Sequence, residues 1–350
     1  MAAIHEGDPG AVRATMGEGN TPLVAAVAQT VPEGGRLYFK LESSNPTGSY
    51  KDRFVAAEVT RMLRAGAKAC LATSSGNTGS ALAAYCARYG VRCLILVNHD
   101  APKGKLLQMQ AHGAHVLRVP EFVSNPAVTS AVFSLLQNLS ERWKVPLVVS
   151  AFRHCPEGMK GVEAIAGELA AAQPDHVFVP VGGGGLYSAV TQGFLPTGGR
   201  LPRIHGVQPE GCLTMVASYL NGSDRIAQVE STTRISGLSV PTDIDASRAL
   251  RLAREYGGSG IAVSDDEVFR AQRILMECEG IYAEPAGATA FAGWRRAVEA
   301  GTVSKDETSV CLVTGHGFKD AASVERIAAE HEALTVEAAN LEDAIGRLLQ

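Results

Sequence analysis

The chain has 350 residues, of which 46% are hydrophobic and 19% charged, and its net charge is -4 with no basic block. This composition predicts a globular protein with an ample core and argues against binding to nucleic acid or to an anionic membrane. The longest apolar runs are strand-sized and residues 1–19 lack a hydrophobic segment, so we expect neither a membrane span nor a secretion signal.

Short apolar runs alternate with longer amphipathic segments along most of the chain. Alternation of strands and helices predicts a parallel sheet with helices on both faces. A further helix is predicted directly after Asp52, where apolar residues recur at helical spacing. In chain order, strands are expected at residues 69–73, 93–97, 116–119, 177–180, 205–208 and 309–313, and helices at 79–90, 103–112, 126–143 and 186–194.

Two other segments bear on the organisation of the chain. Residues 146–152 are typical of a return to a second sheet, so we place a domain boundary near residue 150. Residues 331–350 carry apolar side chains at helical spacing and are expected to form a C-terminal helix that packs on its own protomer.

The cysteines and histidines suggest no disulfide and no metal site. The seven cysteines stand singly without a C-x-x-C pair, which favours reduced thiols in a cytoplasmic protein. Most lie in apolar surroundings and are expected in the core, whereas Cys155 lies in a polar stretch and is expected to be a loop thiol. The nine histidines form no H-x-x-x-H pair on a helical pattern.

Residues 44–53, with the sequence S-N-P-T-G-S-Y-K-D-R, are the most informative segment. Pro46 and Gly48 predict a turn before the helix, so Lys51 should lie near a helix start. Free backbone N–H groups and the helix dipole disfavour a cation there and favour an anion. The position suits an uncharged amine that condenses with an aldehyde beside a bound phosphate. The alternative is a lysine that extends into solvent beside Asp52.

Clusters of Gly, Ser and Thr follow three of the predicted strands, at residues 74–79, 182–185 and 314–317. The carboxyl ends of parallel strands meet at one sheet edge, where ligands bind. Small residues before a helix let backbone N–H groups approach an anion, so residues 182–185 are predicted to hold a phosphate, with a flexible linker as the alternative. Nucleotide binding is disfavoured, because no G-x-x-x-x-G-K-[ST] is present and no acidic ribose partner stands at the expected place.

Five motifs follow one another along the chain: G-E-G-N-T-P-L at residues 17–23, P-T-G-S-Y-K-D-R at 46–53, S-S-G-N-T at 74–78, E-G-I with E-P-A at 279–286, and T-G-H-G with K-D at 314–320. In this order the set resembles the fold type II enzymes that depend on pyridoxal 5'-phosphate (PLP), and within them the threonine synthases. The resemblance implies a PLP cofactor, a small amino-acid substrate and a homodimer. It also implies an α/β fold of two doubly wound parallel-sheet domains. Residues 1–52 and 151–330 would form the large PLP-binding domain, and residues 53–150 a small domain that closes over the substrate.

The resemblance also implies roles for individual residues. Lys51 resembles the lysine that forms a Schiff base with PLP and shuttles protons, and Asn77 resembles the asparagine that hydrogen-bonds the pyridine 3'-oxygen. Thr314 resembles the hydroxyl that faces the pyridine nitrogen. A neutral hydroxyl would not keep this nitrogen fully protonated, which favours elimination or replacement over transamination. The cofactor phosphate is expected at Gly182, Gly183, Gly184, Gly185 and Leu186, and the substrate carboxylate at Ser74, Ser75 and Thr78.

Two features depart from the threonine synthase pattern. The run Gly-Gly-Gly-Gly-Leu at residues 182–186 and the run Ser-Gly-Leu-Ser-Val at residues 236–240 resemble those of serine and threonine dehydratases. In threonine synthases an N-P-x-R motif precedes E-G-x-K, and here residues 150–153 have the sequence Ser-Ala-Phe-Arg instead. The corresponding residues Ser150 and Arg153, with Lys160 of the second motif, are expected to bind the substrate. The Arg153 guanidinium could still hold an anionic leaving group through two hydrogen bonds.

The resemblance therefore predicts a PLP-dependent carbon–oxygen lyase similar to threonine synthase, which converts O-phosphohomoserine and water to threonine and phosphate. A serine or threonine dehydratase, or a β-replacement enzyme acting on another activated amino acid, is the alternative. A PLP-binding protein without turnover is a third possibility, since the cofactor residues do not by themselves specify a reaction.

Overall fold

The computed structural model of the protein describes residues 12–31, 35–74, 76–99, 101, 103–122, 125–331 and 333–349. Its strands form two sheets in which the described pairs are parallel except for β1 with β2, so the predicted α/β class is confirmed. The strands are β1 (Leu23–Ala25), β2 (Arg36–Lys40), β3 (Ala69–Thr73), β4 (Arg92–Asn98), β5 (His115–Val119), β6 (Leu147–Val148), β7 (His176–Pro180), β8 (Arg203–Pro209), β9 (Ser259–Val263) and β10 (Thr308–Leu312). The helices are α1 (Lys51–Arg64), α2 (Asn77–Tyr89), α3 (Lys103–Ala111), α4 (Pro126–Trp143), α5 (Pro156–Ala170), α6 (Gly185–Phe194), α7 (Met215–Leu220), α8 (Ala246–Glu255), α9 (Asp265–Glu277), α10 (Pro285–Glu299), α11 (Ala321–Ala328) and α12 (Leu341–Leu348).

The larger sheet has the strand order β1-β2-β10-β7-β8-β9. Its strand β7 is buried along its whole length. Val177 and Val179 pack in the core cluster that contains α5 and α6, whereas Phe178 packs with α10 on the other face. Because the strand is buried on both faces, its sequence is a continuous apolar run and does not alternate between apolar and polar residues.

The smaller sheet has the strand order β5-β4-β3-β6, with all of these neighbours parallel. Residues 146–152 do not begin a second sheet, so that prediction is wrong. Leu147 and Val148 pair with Leu71 and Ala72 of β3, and the Leu71 N–H donates to the carbonyl oxygen of Pro146 at 2.8 Å. The chain thus returns to the far edge of the sheet that it has just built, and only then enters α5.

Helix α1 lies between the two sheets because it packs against α2 on one side and α5 on the other. Phe54 and Val55 of α1 belong to one core cluster with Leu82 of α2 and Ile165 of α5. This continuous apolar contact fixes the first residue of α1 relative to the loops of both sheets. The domain boundaries near residues 52 and 150 stay a prediction.

Two expectations about single segments differ from the structure. Cys155 was expected to be a loop thiol apart from the core, but it is buried in the core, with 3% exposure, at the residue preceding α5, where its Sγ accepts the N–H of Val149 at 3.5 Å. The predicted C-terminal helix exists as α12, but its burial on its own chain is at most partial. The apolar side chains in and directly after this helix are 47–82% exposed: Leu341, Ile345, Leu348 and Leu349. No helix among the described residues is both long and apolar enough to cross a membrane.

Candidate active site

Lys51 is the first residue of α1, and its half-buried side chain reaches a residue beyond the end of β6. Its Nζ donates a hydrogen bond to Ser150 Oγ at 2.8 Å and lies 4.5 Å from the centre of the Tyr50 ring. The backbone N–H of Tyr50 donates to the carbonyl oxygen of buried Thr314 at 3.1 Å. The structure therefore brings Lys51, Ser150 and the backbone of Thr314 together, while the roles of these residues stay a prediction.

Asn77 begins α2 and contacts Glu284, the residue directly before α10. Its Nδ2 donates to Glu284 Oε1 at 2.6 Å, and the backbone N–H of Glu284 donates to the carbonyl oxygen of Gly315 at 3.0 Å. A side chain at Gly315 is excluded, because its Cβ would lie 1.9 Å from Glu284 Oε1. The sequence analysis gave Glu284 no role, although the E-P-A motif contains it.

The glycine run leads from β7 directly into α6, whose first residue is Gly185. Gly184 has a φ of +93°, which L side chains rarely adopt, and a Cβ there would lie 2.7 Å from the carbonyl oxygen of Asp245. The first N–H groups of a helix have no acceptor within the helix, so the loop presents donors at its mouth. This geometry agrees with the predicted anion-binding role of Gly182, Gly183, Gly184, Gly185 and Leu186.

Asp245 is a buried residue that the sequence reasoning missed, and it joins the glycine run to the segment after β6. Its N–H donates to the carbonyl oxygen of Gly183 at 2.8 Å, and its carboxylate accepts the N–H groups of Phe152 at 2.7 Å and Arg153 at 3.2 Å. Burial raises the pKa of this carboxyl above its ordinary value, against the opposing effect of those two N–H donors. No motif marks Asp245, because its contacts come from residues distant along the chain.

The predicted carboxylate-binding loop lies at the start of α2. Ser74 Oγ accepts the backbone N–H groups of Gly76 at 3.3 Å and Gly79 at 3.2 Å, which shapes the turn before the helix. Thr78 is buried in the first turn of α2. Ser75, which was predicted to contact the same carboxylate, lies outside the described residues.

Ser150, Arg153 and Lys160 are not gathered as one group. Ser150 touches Lys51, whereas Arg153 is an exposed residue whose backbone is anchored on Asp245. Lys160 lies on α5 and pairs with Glu157 at 2.8 Å, and both side chains are more than half exposed. Lys160 lines a surface cavity of about 490 Å³ with Arg61 and Arg64 of α1, and Lys51 is not among the residues that line it.

A buried charge network anchors the first turn of α1 directly after Lys51. The Arg53 guanidinium donates two hydrogen bonds to Glu42, both at 2.7 Å, and reaches Glu168 at 2.6 Å. Lys40 also contacts Glu168, at 2.5 Å. Burial alone would raise the pKa of Glu168, but the hydrogen bonds from Arg53 and Lys40 outweigh it and lower that pKa to about 2. The network therefore joins side chains of β2, α1, α5 and the 3-10 turn Glu42–Ser44, and holds the helix start in place.

Asp52 and Lys319 form a second buried pair of ionisable groups beside the helix start. Asp52 Oδ2 accepts hydrogen bonds from the backbone N–H of Thr47 at 3.0 Å and from its hydroxyl at 2.9 Å. Burial raises the pKa of Asp52 to about 6, although the hydrogen bonds from Thr47 and the charge of Lys319 oppose this effect. Burial also lowers the pKa of Lys319 to about 8. Both groups therefore titrate within two units of neutrality.

The raised pKa of Asp52 predicts a measurable dependence of stability on pH. A carboxyl whose pKa is about 6 when folded and 3.8 otherwise favours folding most below about pH 4, and this contribution is lost as the pH rises through 6. Relative to wild type, Asp52→Asn should gain on the order of 3 kcal/mol in free energy of unfolding between pH 4 and pH 7. Urea denaturation at both pH values measures this difference, with the exposed Asp306→Asn as the control. If the free energy of unfolding of Asp52→Asn differed from that of wild type by the same amount at pH 4 and pH 7, the assignment of a raised pKa would be contradicted.

Comparisons with known proteins identify the family of this chain. A family model described as "Pyridoxal-phosphate dependent enzyme" matches residues 14–315. A threonine synthase of Methanosarcina acetivorans is 34% identical over 319 residues, which cover 89% of this chain and 77% of that protein. A threonine synthase of Methanocaldococcus jannaschii is 34% identical over 312 residues, which cover 87% of this chain and 76% of that protein.

A structural comparison supports the fold independently. The processed form of threonine deaminase isoform 2 from Solanum lycopersicum matches with a TM-score of 0.76 over 88% of this chain and 82% of that chain, at 22% sequence identity. The family match extends over most of the chain, from the segment before β1 to the loop after β10. This protein therefore belongs to the fold type II family of pyridoxal-phosphate-dependent enzymes.

Proposed function

We propose that the protein is a PLP-dependent carbon–oxygen lyase of the threonine synthase type, which converts O-phosphohomoserine and water to threonine and phosphate. The observation that carries the proposal is the contact of 2.8 Å between Lys51 Nζ and Ser150 Oγ. It joins the lysine expected to bind the cofactor to the segment expected to receive the phosphate leaving group. Relatives named threonine synthase, 34% identical over most of the chain, support the same substrate.

The residues at the site fit PLP. A side chain at Gly184 is excluded by the backbone of Asp245, so the N–H groups of the loop remain accessible to a phosphate. The Asp245 carboxylate lies near Gly185 but is occupied by two backbone N–H groups, which limits its repulsion of an anion. The group would be held by Gly182, Gly183, Gly184, Gly185 and Leu186 at its phosphate, by Asn77 and Thr314 at its ring, and by Lys51 at its aldehyde.

When bound, PLP supplies the electron sink for the reaction. We assign Lys51 Nζ to move the proton at the substrate Cα and, for a γ-leaving group, at Cβ. Ser150 Oγ accepts a hydrogen bond from this amine and orients it. The Glu284 carboxylate fixes the Asn77 amide, so that the amide keeps one orientation toward the ring oxygen that it is proposed to bind. The neutral hydroxyl of Thr314 would leave the ring nitrogen without a charged partner, which favours elimination and replacement over transamination.

The rest of the assignment concerns the substrate and the assembly. Ser74, Ser75 and Thr78 would bind the substrate carboxylate, and Arg153, exposed beside Ser150, would meet the leaving phosphate. Residues 53–150 would close as a small domain on a large domain of residues 1–52 and 151–330, and thereby exclude water from the reacting atoms. A homodimer and a cytoplasmic location belong to the same proposal.

One observation favours the alternative, a serine or threonine dehydratase. The two segments that depart from the threonine synthase pattern touch each other, since a Cβ on Gly182 would lie 3.3 Å from both the carbonyl oxygen of Gly237 and Val240 Cγ2. A phosphate loop and a neighbouring loop that both resemble dehydratases therefore form one surface of the site. β-Elimination needs deprotonation at Cα only, so the same lysine would suffice.

Product analysis distinguishes these reactions. The PLP-loaded protein is incubated separately with O-phosphohomoserine, threonine and serine, and both inorganic phosphate and keto acid are measured. Phosphate and threonine from O-phosphohomoserine, without keto acid from threonine, support the proposal. Keto acid from threonine or serine without phosphate release supports the dehydratase. Bound cofactor with no product from any of the three would indicate a PLP-binding protein without turnover.

A further inference from the structure

We propose that Cys70, Cys86 and Cys93 form a binding site for a soft monovalent metal ion, Cu(I), in the core of the smaller sheet. Their sulfur atoms all lie within 4.8 Å of one another, and the Sγ atoms of Cys70 and Cys86 are 3.6 Å apart. All three are free thiols. The proposed function uses none of them, so the inference is independent of the reaction.

The three sulfurs come from three different elements. Cys70 is the second residue of β3, Cys93 is the second residue of β4, and Cys86 lies on α2, which covers these strands. β3 and β4 pair with Cys70 directly opposite Cys93, so the register of the sheet places two of the sulfurs side by side. The third sulfur is added by the packing of α2, and the arrangement depends on secondary structure instead of a mobile loop.

The spacing suits three sulfur ligands around one ion. Thiolate sulfur binds such ions at about 2.3 Å, so three sulfurs at the corners of a triangle around the ion lie about 4.0 Å apart. The Sγ atoms of Cys70 and Cys86 are 3.6 Å apart, and neither of the other two sulfur separations exceeds 4.8 Å, so all three are close to this value. Small rotations of the side chains are sufficient to close the site, and the backbone need not move.

The burial of the three thiols favours a monovalent ion over a divalent one. The three thiols are buried, with exposures of 0% for Cys70, 1% for Cys86 and 5% for Cys93, so a net charge left in this core would be costly. One monovalent ion replacing one thiol proton leaves the site neutral, and the released proton passes to solvent. A divalent ion such as Zn²⁺ would require two thiolates and prefers four ligands, whereas the described residues of this cluster offer three. Soft thiolate ligands favour Cu(I).

Access and location are consistent with a separate site. Cys93 keeps the largest exposure of the three, so its sulfur is the most accessible from solvent. Along α2, Cys86 stands nine positions after Asn77, a rise of about 13 Å. A bound ion would therefore join β3, β4 and α2 without contacting the proposed PLP site.

The test uses the full chain with its cofactor, reduced and handled without oxygen. Cu(I) is supplied as its acetonitrile complex against the colorimetric chelator bathocuproine disulfonate, and X-ray absorption measures the number of sulfur ligands. We expect one Cu(I) per chain, three sulfurs at about 2.3 Å and a raised melting temperature. Loss of a residue that only hydrogen-bonds a metal ligand typically weakens metal affinity roughly 10–100-fold. Cys86→Ser removes a ligand itself, so it should weaken the affinity for Cu(I) by at least this factor. Zn²⁺ should bind more weakly than Cu(I).

Controls keep the proposal open to refutation. Cys212→Ser removes a thiol that is equally buried but lies outside the cluster, and it should retain one Cu(I) with unchanged affinity. Cys93→Ala, at the most accessible sulfur, replaces Cys86→Ser if that variant does not fold. The proposal would be overturned if the wild-type chain did not bind one equivalent of Cu(I). It would also be overturned if the Cys86 or Cys93 variant bound Cu(I) as tightly as wild type. Tighter binding of Zn²⁺ than of Cu(I) would overturn the selection of a monovalent ion.

Discussion

Lys51→Ala is expected to lose both the covalently attached cofactor and the catalytic activity. Lys51 is the amine at the start of α1 that contacts Ser150, and alanine can neither condense with the PLP aldehyde nor carry a proton. Loss of the general base alone costs about 10²–10⁴-fold in turnover, and loss of covalent attachment adds to this. Absorbance of the bound cofactor, borohydride labelling of the peptide that contains residue 51, and product formation measure the effect.

The exposed Lys68, just before β3, provides the matched control. Lys68→Ala should keep the absorbance, the borohydride label and the turnover of wild type. Retained activity in Lys51→Ala, or a label on another lysine peptide in wild type, would refute the assignment of Lys51. Loss of activity with circular dichroism and melting temperature unchanged would separate the chemical role from a defect in folding.

Arg53→Met is expected to lower the free energy of unfolding by about 3–5 kcal/mol, because it leaves the buried Glu42 carboxylate without its cation and the half-buried Glu168 carboxylate with Lys40 alone. Glu42 is fully buried and receives two hydrogen bonds from Arg53, and Glu168 receives two more. Methionine preserves much of the side-chain volume, so the loss reports the unpaired charges more than a cavity. Urea denaturation followed by circular dichroism, without added PLP, measures the change.

A second substitution identifies the origin of this loss. Glu42→Gln in the Arg53→Met background removes one of the unpaired charges and should recover part of the stability, so the two effects should not add. Lys160→Met removes an exposed pair and should leave the free energy of unfolding almost unchanged. A loss below that of Lys160→Met, or strict additivity with Glu42→Gln, would show that the network contributes little.

The parts of the site that the sequence predicted are those encoded within about ten residues. A proline–glycine turn followed by apolar residues at helical spacing was sufficient to place Lys51 at the start of a helix, and the glycine run before α6 was equally local. The strand residues 177–180 were recognised because a central strand is buried on both faces.

The contacts between distant segments could not be predicted in the same way. Ser150 reaches Lys51 across 99 residues and Glu284 reaches Asn77 across 207 residues. Such partners depend on how the two sheets pack, and periodicity within a segment carries no information about it. The wrong prediction for residues 146–152 has the same cause, since a two-residue strand does not reveal which sheet it will join.

A short path leads from β6 to Asp245, which is hydrogen-bonded to the glycine run, and the partner of the lysine lies on this path. β6 ends at Val148 and Phe152 is tethered to Asp245, so residues 149–151 alone connect the two. If the smaller sheet rotates as proposed, this stretch has to adjust, and Ser150 lies at its centre. Sheet rotation would thus transmit a pull directly to the Lys51 amine, and a lengthened tether should uncouple the two.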